Sequence, residues 1–150
     1  MKNYTDESRG RFQNDGYAKQ TISFDGLRFK GRNGLSNVTP TDIDGLVQLD
    51  NENCFIFFEL KYMGGVPSGQ AGALTKLCDA VQAGGVNCVV FVAEHSTPYP
   101  QTIIAKDATV KRIYWNGRWY SEPKQRKLYE IALNFISFIK ESRFVFLRAR

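Results

Sequence analysis

Residues 39–62 read TPTDIDGLVQLDNENCFIFFELKY. Within this stretch, residues 54–58 (CFIFF) are a run of β-forming apolar residues with the length of a buried strand. The polar residues 50–53 (DNEN) precede the run and are typical of a turn. The pattern predicts two neighbouring strands joined by this turn.

Acidic residues mark both predicted strands. Because strand side chains alternate between faces, Glu59 and Lys61 point the same way, roughly 7 Å apart, and Leu60 points the other way. In the same manner Asp42 and Asp44 share one face of the first strand. Charged groups at the end of a buried strand are costly to desolvate unless something needs them there, so these residues are candidates for a functional site.

Three carboxylates and a lysine at one place suggest a hard divalent cation. Mg²⁺ takes oxygen ligands, often one or two carboxylates together with waters and phosphate oxygens of the substrate. A lysine is not a ligand, but it can orient or deprotonate an attacking water and neutralise charge that develops in a phosphoryl transition state. The residue types therefore favour hydrolysis of a phosphodiester.

The two segments that carry these charges are TDIDGL at residues 41–46 and FELK at residues 58–61. They resemble the PD-(D/E)xK nuclease superfamily, which has the restriction-endonuclease-like fold. The resemblance covers residues 39–95 well and the rest of the chain loosely. It implies an α/β fold, a mixed β-sheet flanked by helices, to which this chain would add an extra C-terminal hairpin. The compact size would suit a phage or mobile-element origin.

The resemblance also implies roles for the charged residues. Asp44 and Glu59 would hold Mg²⁺ or Mn²⁺, and the backbone carbonyl of Leu60 would be a further ligand. Lys61 would serve the attacking water. These roles would make the three side chains converge on one point at the edge of the sheet.

Two further residues enter through the same resemblance. Asp42 is the second choice for the first metal ligand; Asp44 is preferred because residues 45–47, Gly-Leu-Val, follow it as in related nucleases. Gln70 lies at the start of the next predicted helix, where related nucleases often have a glutamine near the metal and the substrate backbone. It is therefore included among the candidate catalytic residues.

The implied function is a metal-dependent nuclease that hydrolyses phosphodiester bonds in DNA. A Holliday-junction resolvase or another branched-DNA endonuclease is an alternative. Small members of the superfamily often act as dimers, so a homodimer is a further expectation from the resemblance. A different alternative is a non-catalytic nucleic-acid-binding or inhibitory protein on a nuclease-like fold. A third is an unrelated binding module with a fortuitous Glu-x-Lys triplet.

Length and charge fit these interpretations. The 150 residues have 43% hydrophobic content and a formal net charge of +5, which favours one domain over residues 1–150 with a substantial core. Residues 1–105 hold nine Lys and Arg against 11 Asp and Glu, whereas residues 106–150 hold 11 against four. A basic field beside an acidic site suits a DNA substrate.

The basic C-terminal part contains a predicted hairpin at residues 110–120, in which Asn116-Gly117 is the turn. It interleaves basic and aromatic residues, a composition that suits phosphate contacts and base stacking. The candidate DNA-binding residues are Lys111, Arg112 and Arg118 in the hairpin and Lys124 after it.

The remaining elements complete the predicted order. A helix at about residues 69–83 and a buried strand at 86–94 imply that this strand lies parallel to the Glu59 strand, through a right-handed crossover. A last helix is predicted to open at Ser121-Glu122-Pro123, and residues 143–150 are either a final strand or a partner-binding arm. Before residue 39, a short helix at about residues 5–14, in which Glu7 is a candidate extra acid, and a hairpin around Asp25-Gly26 are predicted.

The other reactive residue types narrow the function further. Cys54, Cys78 and Cys88 show no C-x-x-C spacing and lie in apolar settings, so buried free thiols and a reducing, cytoplasmic location are expected. With a single histidine, His95, the chain lacks the ligands of zinc-finger, HNH-type and zinc-deaminase sites. No apolar run approaches membrane-spanning length, so no membrane partner is expected.

Overall fold

A computed structural model describes residues 29–30, 37–38, 43–63 and 68–148, and it describes side chains within 43–63 and 71–142 and at Lys30. The chain divides into two compact units, Met1–Thr41 and Asp42–Arg150. In the first unit, β1 (Phe29–Lys30) pairs antiparallel with β2 (Asn37–Val38). The predicted N-terminal helix with Glu7, the turn at Asp25-Gly26 and Asp42 lie outside the described residues. A single domain over the whole chain stays a prediction.

The second unit is built on a five-stranded mixed sheet with the order β3-β4-β5-β6-β7. Strands β4 and β5 are parallel, and the other neighbours are antiparallel. The predicted mixed α/β architecture is confirmed at this level. The elements are β3 (Gly45–Leu49), β4 (Cys54–Tyr62), α1 (Ser68–Ala83), β5 (Asn87–His95), a 3₁₀ turn (Ala105–Asp107), β6 (Thr109–Trp115), β7 (Arg118–Ser121) and α2 (Leu128–Arg148).

The hairpin of β3 and β4 is the predicted pair of strands. Its turn closes at Asn53, whose backbone has φ 50° and whose N–H donates to the carbonyl of Asp50. Gly45 lies opposite Phe58, and a Cβ at residue 45 would overlap the Phe58 ring. The glycine therefore permits the close approach of the ring. One expectation is wrong: Asp44 is not inside the strand, because β3 begins one residue later.

The crossover from β4 to β5 through α1 confirms the predicted parallel pair and the predicted helix. One face of the sheet packs on α1 through a cluster that includes Phe57, Cys78 and Tyr114. Among the described side chains of α1, from residue 71 onward, Leu74 and Cys78 are buried, and Val81 packs beside them. The i, i+3, i+4, i+7 spacing of residues 74, 77, 78 and 81 predicts one apolar stripe on this helix, but Leu77 is exposed instead. All three cysteines are buried thiols that form no disulfide, as predicted.

The opposite face of the sheet packs on α2. Helical spacing predicts an apolar stripe on this helix at residues 128, 131, 132, 135 and 139. The stripe is confirmed, since Leu128, Ile131 and Ile139 are buried and Phe135 packs beside them. Because β4 and β5 are covered on both faces, their near-continuous apolar sequences match the burial that parallel strands require. These two buried strands position the charged residues at their carboxyl ends.

The predicted C-terminal hairpin is confirmed as β6 and β7. Asn116 and Gly117 both have positive φ, 49° and 73°, as a type I′ turn requires. The hairpin is not an appendage to the sheet, because β6 pairs with β5 and continues the same sheet.

The start of the last helix is a correction. Residues 122–127 do not form its first turns, because the Glu122 carboxylate holds this segment in a non-helical conformation. Its Oε1 accepts a hydrogen bond from the Lys124 backbone N–H at 2.9 Å, and its Oε2 accepts one from the Arg126 guanidinium at 2.6 Å. Gln125 has φ 49°, which ends any helical path there. The helix begins at Leu128 and continues to Arg148, so residues 143–148 are not a strand; a partner-binding role of the tail stays a prediction.

We expect Gly45→Ala to lower the free energy of unfolding by about 1–3 kcal/mol, because the new methyl group forces the Phe58 ring out of its packed position. Gly72→Ala is the matched control: it lies in α1, its added Cβ meets nothing within 4 Å, and it should stabilise by about 1 kcal/mol. Urea unfolding measures both variants. Equal effects of the two would contradict the proposed packing.

Glu122→Gln tests the segment before α2. The hydrogen bond from Arg126 lowers the pKa of Glu122 below its ordinary value of 4.5. Its stabilisation is therefore complete above that pH and is lost as the pH falls through the lowered pKa. The variant should be less stable by about 1.5–3 kcal/mol near neutral pH, and the difference from wild type should shrink in acid. Glu141→Gln, at an exposed site on α2, should change stability little at any pH.

Candidate functional site at the carboxyl end of β4

Asp44 and Glu59 lie next to each other across the edge of the sheet. The register pairs Gly45 with Phe58, so the preceding residue, Asp44, stands opposite Glu59. The Asp44 carboxylate accepts a hydrogen bond from the backbone N–H of Leu60, with 2.6 Å between Oδ2 and N. This bond fixes an exposed carboxylate against β4, one strand spacing of about 5 Å from the chain that carries Glu59.

Glu59 is buried within the end of the sheet, with 1% of its surface exposed. It points to the α1 face, because it alternates with Phe58 and shares its side of β4 with Phe57. Lys61 points the same way, and its Nζ donates to Oε1 of Glu59. A buried carboxylate is costly unless it is paired, so the two charges occupy this position as a pair.

Two more charges lie beside the pair on β5 and β6. Glu94 is the register partner of Lys61 on the parallel strand β5, and Lys111 Nζ lies 3.7 Å from its Oε2. Sequence reasoning had omitted Glu94. The signal was present, since Glu94 ends an apolar strand predicted to run parallel to β4, and the carboxyl ends of parallel neighbours meet at one edge.

Arg112 completes this group on the α1 face. Glu59 pairs with Val92, and Val92 pairs in turn with Arg112, so the arginine lies two strands from Glu59, about 10 Å away. Its guanidinium stacks on the ring of Trp119, with 4.2 Å from Cζ to the centroid. A charged cluster is thus defined by Asp44, Glu59, Lys61, Glu94, Lys111 and Arg112.

The structure does not bring all four predicted DNA-binding residues together. Arg112 on β6 is opposite Ser121 on β7. Arg118 precedes Ser121 by three residues, so it lies about 10 Å along β7 from the position opposite Arg112. Arg118 and Lys124 are exposed. Lys124 lies in the turn just beyond Ser121, near the same end of the sheet as Arg112. Sequence spacing within the hairpin did not distinguish its two ends.

The structure describes the remaining predicted site residues, Gln70, Asp42 and Leu60, only in part. Gln70 lies in the first turn of α1, and its side chain is outside the described residues, as is the whole of Asp42. The N–H and C=O of one strand residue point to the same side of the strand, so the Leu60 carbonyl faces the side on which Asp44 lies. Within 43–63 and 68–148 no group of three His, Cys, Asp or Glu side chains has the spacing of a metal site.

Helix α1 is joined to the sheet beneath the cluster by a polar contact. The Tyr114 hydroxyl donates to the Asp79 carboxylate, with 2.8 Å to Oδ1. Burial, and then the bond to Asp79, raise the pKa of Tyr114 to about 12, so the phenol stays protonated and able to donate. The Cys78 thiol and burial raise the pKa of Cys88 well above its ordinary value, which makes the Cys88 thiol a poor nucleophile.

Two cavities open at this end of the sheet. The smaller, of about 140 Å³, is lined by Glu94, Lys111, His95 and their neighbours. The larger, of about 420 Å³, is lined by Tyr62, His95, Tyr99 and adjacent residues of the loop that follows β5. His95 borders both, so the second cavity adjoins the charged cluster.

Comparisons with known proteins found no match: no protein-family description fits the chain, and no curated protein or solved structure is significantly similar. Among the described helices, none combines the length and the apolar character needed to cross a bilayer.

Proposed function

We propose that this protein is a metal-dependent nuclease that hydrolyses phosphodiester bonds in DNA. The observation that carries the proposal is the hydrogen bond between the Asp44 carboxylate and the Leu60 N–H, in register with Glu59. It supports an arrangement in which two acids from neighbouring strands serve one cation, as the resemblance to the PD-(D/E)xK superfamily implies. Membership of that superfamily is part of the proposal.

The residues present fit a hard divalent cation in their chemistry. Asp44 and Glu59 offer carboxylate oxygens, and Leu60 offers a carbonyl oxygen on the Asp44 side; these are the donors that Mg²⁺ and Mn²⁺ prefer. When bound, the cation would polarise a phosphate oxygen and lower the pKa of a water. Two carboxylates suffice for Mg²⁺, because it keeps several waters and takes further oxygens from the substrate.

Lys61 has a separate task in this mechanism. Its Nζ is held beside Oε1 of Glu59, so the ammonium is positioned to orient an attacking water next to the acids. An ammonium has three donors and no lone pair, so it does not compete as a ligand. It also stabilises negative charge that develops on the phosphoryl group.

Lys111 and Arg112 bring positive charge to the same face and would hold the phosphates on either side of the scissile bond. Arg112 is kept extended by stacking on Trp119, which reduces the entropy lost on binding. Because Arg118 lies toward the other end of β7, it is expected to contribute less. A homodimer stays a prediction of the resemblance, as does activity on a Holliday junction.

One observation favours a second candidate function. The pair of Lys61 with the buried Glu59 is also what a structural ion pair would look like in a DNA-binding protein that does not cleave. In that case the same charged cluster would bind or shield nucleic acid without hydrolysis. Metal-dependent cleavage separates the two candidates.

Glu59→Gln and Asp44→Asn should each reduce Mg²⁺- or Mn²⁺-dependent nicking of plasmid DNA by about 100-fold or more, because each removes a charge that acts on the transition state. DNA affinity should stay equal or increase, since a carboxylate that repels phosphate is lost. Lys61→Met should also abolish nicking while leaving Mn²⁺ affinity, measured by calorimetry, largely intact.

The matched control is Asp50→Asn, which changes an exposed acid in the β3–β4 turn at the other end of the hairpin and should cleave normally. EDTA should abolish nicking by the wild type. If the wild type cleaves none of linear, nicked, flapped or four-way DNA, nor RNA, with either metal, the nuclease proposal fails and the binding-protein candidate replaces it.

Arg112→Met should weaken DNA binding and reduce the slope of log affinity against log salt by about 0.9, because one phosphate contact is lost. The methionine keeps an apolar stem against Trp119. Arg118→Met, which removes the same charge from the far end of the hairpin, should change the slope much less. Fluorescence anisotropy over a salt series measures both, and equal losses would show that the basic residues act only through net charge.

A further inference from the structure

We infer that the larger cavity binds an unpaired nucleobase, which makes single-stranded or branched DNA the substrate class of the charged cluster. The inference rests on the proposed function for its catalytic part, whereas base binding can be tested without cleavage. We call this cavity the aromatic pocket and define it by Tyr62, His95, Thr97, Tyr99 and Gln101. Its volume of about 420 Å³ is within the range of small-molecule sites.

Two aromatic rings that line the pocket are exposed. Tyr99 is 98% exposed and Tyr62 is 54% exposed. Burying an aromatic ring contributes about 1.5–3 kcal/mol, and Tyr99 contributes almost none of this to the fold. An exposed ring is ordinary by itself, but two beside one cavity provide faces on which a base can stack, as in single-strand-binding proteins.

The pocket is also held in shape before any ligand binds. The ring of Tyr62 meets His95 edge-on, with 5.6 Å between centroids. The Thr97 N–H donates to Nδ1 of His95 at 3.2 Å, and the Gln101 N–H donates to the Pro98 carbonyl at 2.9 Å. One hydrogen bond therefore holds the start of the loop against His95, and the other closes the turn that carries Tyr99. Both bonds lower the entropy lost when a ligand is bound.

Polar groups within the pocket suit a base edge. Because Nδ1 of His95 accepts from Thr97, the neutral ring carries its proton on Nε2, where it is a donor. Gln101 adds an amide with both donors and an acceptor. Aromatic faces with a few donors and acceptors match an unstacked nucleobase, since its flat face is apolar and its edge is polar.

Position links the pocket to the charged cluster. Tyr62 directly follows Lys61 and lies three residues from Glu59, about 10 Å along β4. Tyr62 is on the α2 side of the strand and Lys61 on the α1 side, so a strand of DNA would pass over the end of β4. DNA advances about 3.4 Å per nucleotide in a duplex and more when it is stretched, so the stacked base lies one to three nucleotides from the scissile phosphate.

A paired duplex cannot place a base in the pocket without unstacking it, which costs a few kcal/mol. DNA that already has an unpaired base avoids this cost. The pocket is therefore expected to favour single strands, flaps and junctions over intact duplex.

The test is anisotropy in EDTA, which prevents cleavage, with labelled single strands of about 12 nucleotides and abasic strands of the same length. The abasic strand keeps every phosphate and lacks the bases. Wild type should bind the strand with bases about 5- to 100-fold more tightly, and more tightly than a blunt duplex. Tyr99→Ala should remove most of this preference, and Tyr99→Phe, which keeps the ring, should retain it.

Tyr129→Ala is the matched control, because Tyr129 is also an exposed tyrosine, at 61%, but lies on α2. It should leave the preference unchanged. Equal affinity for normal and abasic strands, a silent Tyr99→Ala or an equal loss in Tyr129→Ala would each overturn the inference. Base-dependent binding without metal-dependent nicking would retain the pocket and reject the nuclease; nicking without base-dependent binding would do the reverse.

Discussion

The parallel pairing of β4 with β5 is the constraint on which the rest of the second unit depends. Parallel neighbours cannot be joined by a tight turn, so α1 must cross one face of the sheet between them. The other face then needs a cover, which α2 provides. Because both faces of β4 and β5 are covered, charged side chains of these two strands can reach solvent only at the strand ends. The charged cluster and the aromatic pocket are both at the carboxyl end.

Charges of both signs occupy that end, and their arrangement limits what the site can bind. The pair of Glu59 and Lys61 is buried, whereas Asp44 and the contact between Glu94 and Lys111 are more exposed. Exposed pairs contribute little to stability, so Glu94 and Lys111 remain available for a ligand at modest cost. In the proposed nuclease, a phosphate of the substrate would replace the Glu94 contact with Lys111, and the cation would neutralise the acids that otherwise repel that phosphate.

The charged part and the aromatic part of the site come from different elements. Glu59, Lys61 and Arg112 project from paired strands in the sheet, where the register fixes their spacing. Tyr99 and Gln101 come from a loop, and loops that are positioned by a rigid scaffold commonly carry specificity. In the proposed enzyme the sheet would therefore determine the chemistry and the loop would determine which form of DNA is accepted.

Local pattern was sufficient for the elements and for part of the site. The apolar run at 54–58, the alternation of Glu59 with Leu60 and the Asn116-Gly117 turn each depend on neighbours in the chain, so the strands, the parallel pair and the hairpin could be predicted. Tertiary contacts decided the rest. The hydrogen bond from Arg126 to Glu122 holds the preceding segment out of the helix, so α2 begins only at Leu128. Leu77 is exposed because the cluster against α1 is centred on Leu74 and Cys78. The contact of Glu94 with Lys111 and the separation of Arg118 from Arg112 depend on the register between strands, and local spacing does not determine that register.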